Sequence, residues 1–125
     1  RHEPPVDMQA DLTRMTLEME LPSDADDLWD SLKGNVRNQV RKAQKSGLEA
    51  GPASDLHAAI AADFYPVYSE NTRDLGSPMH SVRFFQQVAE RFPEAARVVS
   101  VRNSETVVGS ALALKWRDVF MVPWA

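Results

Sequence analysis

Alternating apolar and polar residues predict four strands in this chain. From residue 12 to residue 21 apolar side chains, among them Met15, Leu17 and Met19, alternate with polar ones, which is typical of a half-buried strand. Three more strands are predicted near the C-terminal end, at 97–102, 106–116 and 119–124. The connections between these three have three and two residues, and connections this short join antiparallel neighbours.

Between these strands the apolar residues recur at the spacing of helices. Ser23, followed three residues later by Asp26, resembles a capping box that opens a short acidic helix. A second helix with a narrow apolar stripe is expected to end at Gly47, and a short edge strand at 48–53 follows it. Pro66 is expected to kink or restart a long helix at 55–75, and a last helix is predicted at 81–92.

The order of these elements predicts a mixed α/β (α+β) fold with an antiparallel meander flanked by helices. We assign residues 1–11 to a connector and residues 12–125 to one domain, since 125 residues suit a single core. Both ends are taken as cuts in a longer chain, with the sheet truncated at the C-terminal end. Gly109, inside the second strand of the meander, is expected to mark a bulge or a close backbone approach.

Composition excludes several classes of function. No apolar run reaches the roughly 18 residues of a membrane span and no signal peptide is recognised, so a cytoplasmic location is expected. The chain has no cysteine, which excludes thiolate catalysis and disulfides within it. A net charge of -4 argues against DNA as a partner, and the spacing of His and acidic residues predicts no metal site. No glycine-rich phosphate loop is present, which disfavours nucleotide hydrolysis and hydride transfer.

The main electrostatic feature is a run of five basic residues without an acidic one between positions 33 and 45. Lys33, Arg37, Arg41 and Lys45 recur every four residues, so on a helix they form a slanting cationic ridge, which Lys42 widens. The simplest interpretation is a solvated helix face. Alternatively, an anionic partner such as phosphate or pyrophosphate relieves the mutual repulsion, or the acidic helix just upstream does so internally.

A second group of candidate residues surrounds the turn that follows Pro66. Six residues could line a polar pocket here: Tyr65, Tyr68, Asn71, Arg73, Asp74 and His80. His80 is a better candidate for a general base than His57, although the simpler interpretation of His80 is a local capping or loop residue. The alternative is that the tyrosines are core residues with hydrated hydroxyls, that Arg73 pairs with a neighbouring acid, and that Asn71 lies at the surface. The sequence leaves both interpretations open.

Two segments resemble those of FemAB-type proteins. The first is LKGNVRNQVRKAQKSGL at 32–48, and the second is FYPVYSENTRDLG at 64–76, followed by a helix with two phenylalanines, a strand and ETVVGSALAL at 105–114. The order of elements is similar across roughly residues 12–125. Within that family, the chain is most similar to the FemAB-related proteins associated with exosortase and PEP-CTERM polysaccharide systems.

The resemblance implies a GNAT-like fold and transfer of an acyl or aminoacyl group to an amine of a phosphorylated cell-wall or exopolysaccharide precursor. Its implied partners are a phosphorylated sugar or muropeptide precursor and an acyl or aminoacyl donor. Under this interpretation Lys33, Arg37 and Arg41 hold the phosphorylated precursor, while Tyr68, Asn71 and Arg73 border the acceptor pocket; the catalytic residues are not identified.

Two departures from the family bear on the identity of the acyl or aminoacyl donor. The coiled-coil arm of some relatives is absent and the acidic balance gives little support for tRNA. No Arg/Gln-x-x-Gly-x-Gly/Ala loop follows a strand, so acetyl-CoA is not supported and no cofactor is predicted. The alternative function is a non-catalytic GNAT-like binding module in a polysaccharide assembly system.

Overall fold

The computed structural model describes residues 18–125, which contain five α-helices, one π-helical turn and four strands. The helices are α1 (Ala25–Ser31), α2 (Gly34–Lys45), α3 (Leu56–Ala59), α4 (Tyr65–Asp74) and α5 (Val82–Arg91), and the π-helical turn spans Ile60–Phe64. The strands are β1 (Leu48–Pro52), β2 (Ala96–Asn103), β3 (Thr106–Trp116) and β4 (Val119–Trp124).

Short polar side chains and glycines determine where the helices begin and end. The predicted cap of α1 at Ser23 is wrong by one residue, because Asp24 accepts the N–H of Asp26 at 2.6 Å. Ser81 caps α5 by accepting the N–H of Phe84 at 3.3 Å. At the end of α2, Gly47 has a φ of +78°, a conformation in which glycine avoids the steric cost of a Cβ, so its predicted role as a C-terminal cap is confirmed.

Pro66 restarts the long helix predicted at 55–75. Proline has no N–H, so it cannot donate to the carbonyl of Ala62 as a residue inside an α-helix would. The chain instead forms the π-helical turn, in which the N–H of Tyr65 donates to the carbonyl of Ile60, and Pro66 then lies in the first turn of α4. A π-helical turn inserts one extra residue into the helix, and such turns are frequent at functional sites.

The four strands form one antiparallel sheet in the order β1-β2-β3-β4, which confirms the predicted meander. The register changes between Val101 and Arg102, since Val101 pairs with Gly109 and Arg102 pairs with Val107. Val108 is therefore the extra residue of a bulge beside Gly109, as predicted. Most of the strand predicted at 12–21 lies outside the described residues, and residues 18–21 are not in a strand.

The hydrophobic core lies between the sheet and the helices from α3 to α5. Its largest fully buried side chains are Phe64, Phe85, Ile60, Leu112 and Val98. The ring of Phe85 meets that of Phe64 edge-on at 4.9 Å between centroids. Alternate residues of β2 are buried, as expected for a sheet covered on one face.

The chain divides into two compact units, Arg1–Arg37 and Asn38–Ala125. In its described part, the first unit contains α1 and the first residues of α2. The second unit contains the sheet and helices α3 to α5, so the predicted fold class, mixed α/β with an antiparallel meander, is confirmed there. The assignment of residues 1–11 to a connector and 12–125 to one domain stays a prediction.

Candidate functional site

Arg37, in the predicted cationic ridge, binds the end of the acidic helix that precedes it. Its Nη1 donates to the carbonyl of Asp30 at 3.0 Å and to that of Trp29 at 3.5 Å, and it lies 3.7 Å from the Asp30 carboxylate. These carbonyls belong to the last turn of α1, where the helix dipole favours a cation. The acidic helix therefore supplies an internal partner for Arg37, one of the alternatives that the sequence left open.

The other cations of the ridge are exposed. Lys33 precedes α2, and its carbonyl accepts the N–H groups of Val36 and Arg37 at 2.9 and 3.1 Å. Arg41, Lys42 and Lys45 lie on α2 itself with exposed side chains. Helix α2 buries none of its residues, so these long side chains are exposed to solvent.

Tyr68 belongs to the core and has a polar group at the edge of it. The residue is 7% exposed, and its ring stacks on that of Phe64 at 5.4 Å. Its hydroxyl oxygen accepts the N–H of His80 at 3.3 Å, which holds the loop before α5 against α4. The imidazole of His80 in turn stacks on Phe84 at 4.4 Å and meets Trp124 edge-on at 6.2 Å.

Asn71 and Arg73 lie at the exposed surface of α4. The Nδ2 of Asn71 donates to the carbonyl of Ala125 at 3.5 Å, so Asn71 contacts the residue that follows β4. Arg73 pairs instead with its neighbour Asp74 at 3.7 Å, and both of these side chains are more than two-thirds exposed. The structure thus places Asn71 beside the end of β4, keeps Tyr68 in the core next to the loop before α5, and leaves Arg73 in a local surface pair.

A polar cluster that the sequence did not reveal lies where the π-helical turn crosses the sheet. The Oδ2 of Asp63 accepts hydrogen bonds from Arg102 at 2.5 Å and from the Ser100 hydroxyl at 3.4 Å. The hydroxyls of Ser100 and Ser110 are 3.0 Å apart, close enough for one to donate to the other, and the Ser110 hydroxyl also lies 3.3 Å from the carbonyl of Val99, its alternative acceptor. Two strands and one helical segment therefore contribute to a single connected network.

Local structure explains how these four side chains meet. Asp63 lies in the π-helical turn, between Ala62 and the buried Phe64. Ser100 and Ser110 are register partners on β2 and β3, and the bulge begins immediately before Arg102. A signal was present in the sequence, since serines interrupt two apolar strands at 100 and 110, but only the strand register shows that they face each other.

The network borders a cleft of about 360 Å³. Its lining includes Asp63, Ser100 and Arg102, together with small residues: Gly51, Ala53, Ser54, Ala58, Ala59 and Ala62. Because these side chains are short, the cleft stays open above the ion pair. A pocket that combines apolar walls with a few convergent polar groups is the usual form of a small-molecule site.

The cleft presents groups suited to hold an amine. Every side-chain contact of Asp63 within residues 18–125 goes to Oδ2, so Oδ1 has capacity for another donor. The side chain of Asp63 is 14% exposed, so it can receive a ligand from the cleft while remaining shielded from bulk water. An ammonium group has three N–H donors that match such a carboxylate oxygen.

Residues 18–125 contain neither a metal site nor a membrane-spanning helix. Within this range, no three His, Asp or Glu side chains are grouped so that they could hold a metal ion. The helices of the same range are all too short or too polar to cross a membrane.

Comparison with known proteins identifies the family. No curated protein matches the chain. Residues 33–125, well over half of the sequence, match the family described as acetyltransferase (GNAT) domain. A domain of this family implies transfer of an acyl group from a donor such as acyl-CoA to an amine acceptor. The chain therefore belongs to the GNAT acetyltransferase domain family.

Proposed function

We propose that this protein is an N-acyltransferase or aminoacyltransferase that acts on a phosphorylated cell-wall or exopolysaccharide precursor. The observation that carries the proposal is the Asp63–Ser100–Arg102 cluster at a cleft inside a GNAT acetyltransferase domain. The choice of precursor rests on the resemblance of segments 32–48 and 64–76 to FemAB-type proteins, including those of exosortase and PEP-CTERM systems. From the sequence we also propose a cytoplasmic location.

The chemistry requires little covalent participation by the protein. The acceptor amine attacks the carbonyl carbon of an activated thioester or ester, a C–N bond forms, and the bond to the donor sulfur or oxygen breaks. The amine must lose a proton, which leaves with the donor thiol or hydroxyl or passes to water. Holding the two reactants in position can supply about 7–11 kcal/mol of the barrier reduction, so the absence of cysteine is compatible with activity.

Lys33, Arg37 and Arg41 are proposed to hold the phosphorylated part of the precursor. Support comes from the exposure of Lys33 and Arg41 and from the spacing of four residues between the three. Arg37 is fixed at the end of α1, so in this proposal it contributes a positioned charge rather than a flexible one. Arginine suits this task because its guanidinium can donate two parallel hydrogen bonds to a phosphate.

Tyr68, Asn71 and Arg73 are proposed to border a part of the acceptor that lies outside the cleft, since none of them lines it. Tyr68 and Asn71 contact the loop before α5 and the residue after β4, respectively, so an acceptor bound there would meet ordered groups. Arg73 would have to leave Asp74 to take part. Since exposed ion pairs contribute only about 0.2–1 kcal/mol, breaking the pair between Arg73 and Asp74 costs little free energy compared with ordinary binding.

The proposal is tested by transfer assays with a charge-reversed ridge. Lys33→Glu combined with Arg41→Glu should lower kcat/KM for the phosphorylated precursor by at least about tenfold, mainly through KM, because one charge-assisted hydrogen bond contributes about 1.5–3 kcal/mol. Acyl-CoA and aminoacyl-tRNA donors are compared by mass spectrometry of the product. Arg83→Glu combined with Arg91→Glu, on α5, is the control with the same change in charge.

Three outcomes decide the proposal. A selective loss in the ridge variant, with an unchanged thermal midpoint, supports it. Equal losses in the ridge and control variants contradict the phosphate role. Binding of the precursor without transfer from any donor contradicts the enzymatic function and favours a binding module.

A further inference from the structure

The ion pair in the cleft leaves one acceptor atom and several donor atoms available beside each other. Asp63 makes its contacts through Oδ2, and Arg102 makes its contact with Asp63 through Nη2. The side chain of Arg102 is 43% exposed, so its remaining N–H groups are accessible from the cleft. A ligand at this position meets a carboxylate oxygen and a guanidinium at the same time.

We propose that the cleft binds an amino-acid-type group, an ammonium next to a carboxylate, with Asp63 holding the ammonium and Arg102 the carboxylate. The inference rests on the proposed acyltransferase function in one respect, namely that this group is the amine-bearing part of the acceptor. It narrows that acceptor from any amine to one with a carboxylate beside its nitrogen.

The fixed position of Asp63 favours a directed contact between its carboxylate and the ammonium of a ligand. Its Oδ2 is held by Arg102 and by the hydroxyl of Ser100, which in turn contacts Ser110. The carboxylate is therefore oriented by two groups of β2 before any ligand arrives. A binding group whose orientation is set in advance loses little rotational freedom when the ligand binds.

The charges lining the cleft discriminate between ligand classes. Asp55, Asp63 and Arg102 are its ionisable residues, so two acids face one base. Asp55 caps α3 by accepting the N–H of Ala58 at 3.0 Å. A simple anion such as free phosphate would meet a net negative lining, and a simple amine would leave the N–H groups of Arg102 that do not contact Asp63 without an acceptor. A zwitterion with its two charges one carbon apart satisfies both members of the pair.

The size of the cleft is consistent with this class of ligand. Its volume of about 360 Å³ exceeds that of a single amino acid, and one wall is formed by the short side chains of Ala58 and Ala62. Ala62 is exposed, so a larger side chain there fills the cleft without entering the core.

Three small probes of similar shape test the proposal without any donor. L-Alanine carries both charges, ethylamine lacks the carboxylate, and propionate lacks the ammonium. Titrations followed by amide shifts in ¹⁵N NMR spectra should show L-alanine shifting the signals of residues 51–63 and 100–102. Each single-charge probe should bind at least about tenfold more weakly, since each loses a charge-assisted hydrogen bond.

Three variants and one control locate the binding site and distinguish loss of binding from unfolding. Asp63→Asn removes the charge that holds the ammonium and should weaken L-alanine binding at least about tenfold. Ala62→Leu keeps all charges but fills the cleft, and should have the same effect with an unchanged thermal midpoint. Arg102→Met removes the group that holds the carboxylate and should also weaken L-alanine binding at least about tenfold. Arg83→Met, on α5, is its control and should bind L-alanine as the wild type does.

The results separate this proposal from the proposed function. Equal binding of L-alanine and ethylamine, or normal L-alanine binding by Ala62→Leu, would overturn the amino-acid assignment whatever the transfer assays show. Selective L-alanine binding in a protein that transfers nothing would support the assignment and contradict the enzymatic function alone.

Discussion

The ion pair between Asp63 and Arg102 should contribute measurably to the stability of the second unit. We expect a double-mutant cycle with Asp63→Asn and Arg102→Met to give a coupling free energy of about 1–2 kcal/mol. The gross attraction between charge centres about 4 Å apart is about 4 kcal/mol at an effective dielectric constant of 20. Desolvation offsets part of this attraction, because the Asp63 side chain is only 14% exposed.

Unfolding in urea, followed by circular dichroism, measures the four free energies of the cycle. The same cycle on Arg73 and Asp74 is an internal control, since that pair is 3.7 Å apart and about 68% exposed on each side. Exposed pairs of this kind contribute roughly 0.2–1 kcal/mol. In 1 M salt, where the screening length falls to about 3 Å, the control coupling should vanish while part of the Asp63–Arg102 coupling remains.

Equal coupling energies for the two pairs would refute this reasoning. Such a result would mean that the π-helical turn does not hold Asp63 against β2. The cleft would then lack the oriented carboxylate on which the amino-acid proposal depends.

Three further predictions concern stability and are measured by the same urea unfolding. Phe85→Ala should lower the free energy of unfolding by about 3–5 kcal/mol because the ring is fully buried, while Phe92→Ala, at a half-exposed site, should lower it far less. Similar decreases for the two variants would contradict the placement of the core. Ser81→Ala removes the cap of α5 and should lower the free energy of unfolding by about 1 kcal/mol, whereas Ser81→Thr should keep most of the stability that the cap contributes. Ser104→Gly should raise the free energy of unfolding by up to about 1 kcal/mol, because Ser104 has a φ of +53°, which strains a residue with a Cβ. A lower free energy of unfolding would contradict this strain.

The local elements were largely predictable because their signals are local. Strands β3 and β4 have the predicted limits, since turn residues flank regular apolar runs. Pro66 indicated where the long helix restarts, because proline lacks an N–H and interrupts helical hydrogen bonding at its own position. The cap of α1 was misplaced by one residue, since Ser23 and Asp24 are both good caps and the sequence alone does not rank them.

The predicted site residues show the limit of such reasoning. The spacing of Lys33, Arg37 and Arg41 indicated a cationic ridge, but not that Arg37 would bind the carbonyls of Asp30 and Trp29. That contact depends on the path of the chain between two helices. Periodicity describes the face of one helix and contains no information on where the preceding helix ends in space.

The sequence by itself determined the meander and the cationic run, because each depends on residues close together in the chain. It left Gly109 as either a bulge or a close backbone approach, and the strand register decided for the bulge. Only the tertiary structure decided that Asp63 meets Ser100 and Arg102, which lie 37 and 39 positions away. Their meeting depends on the packing of the π-helical turn against β2, and the register of β2 against β3 then brings Ser110 to Ser100. A shift of one residue in either element would turn these side chains to other faces, since strands alternate their faces at every residue.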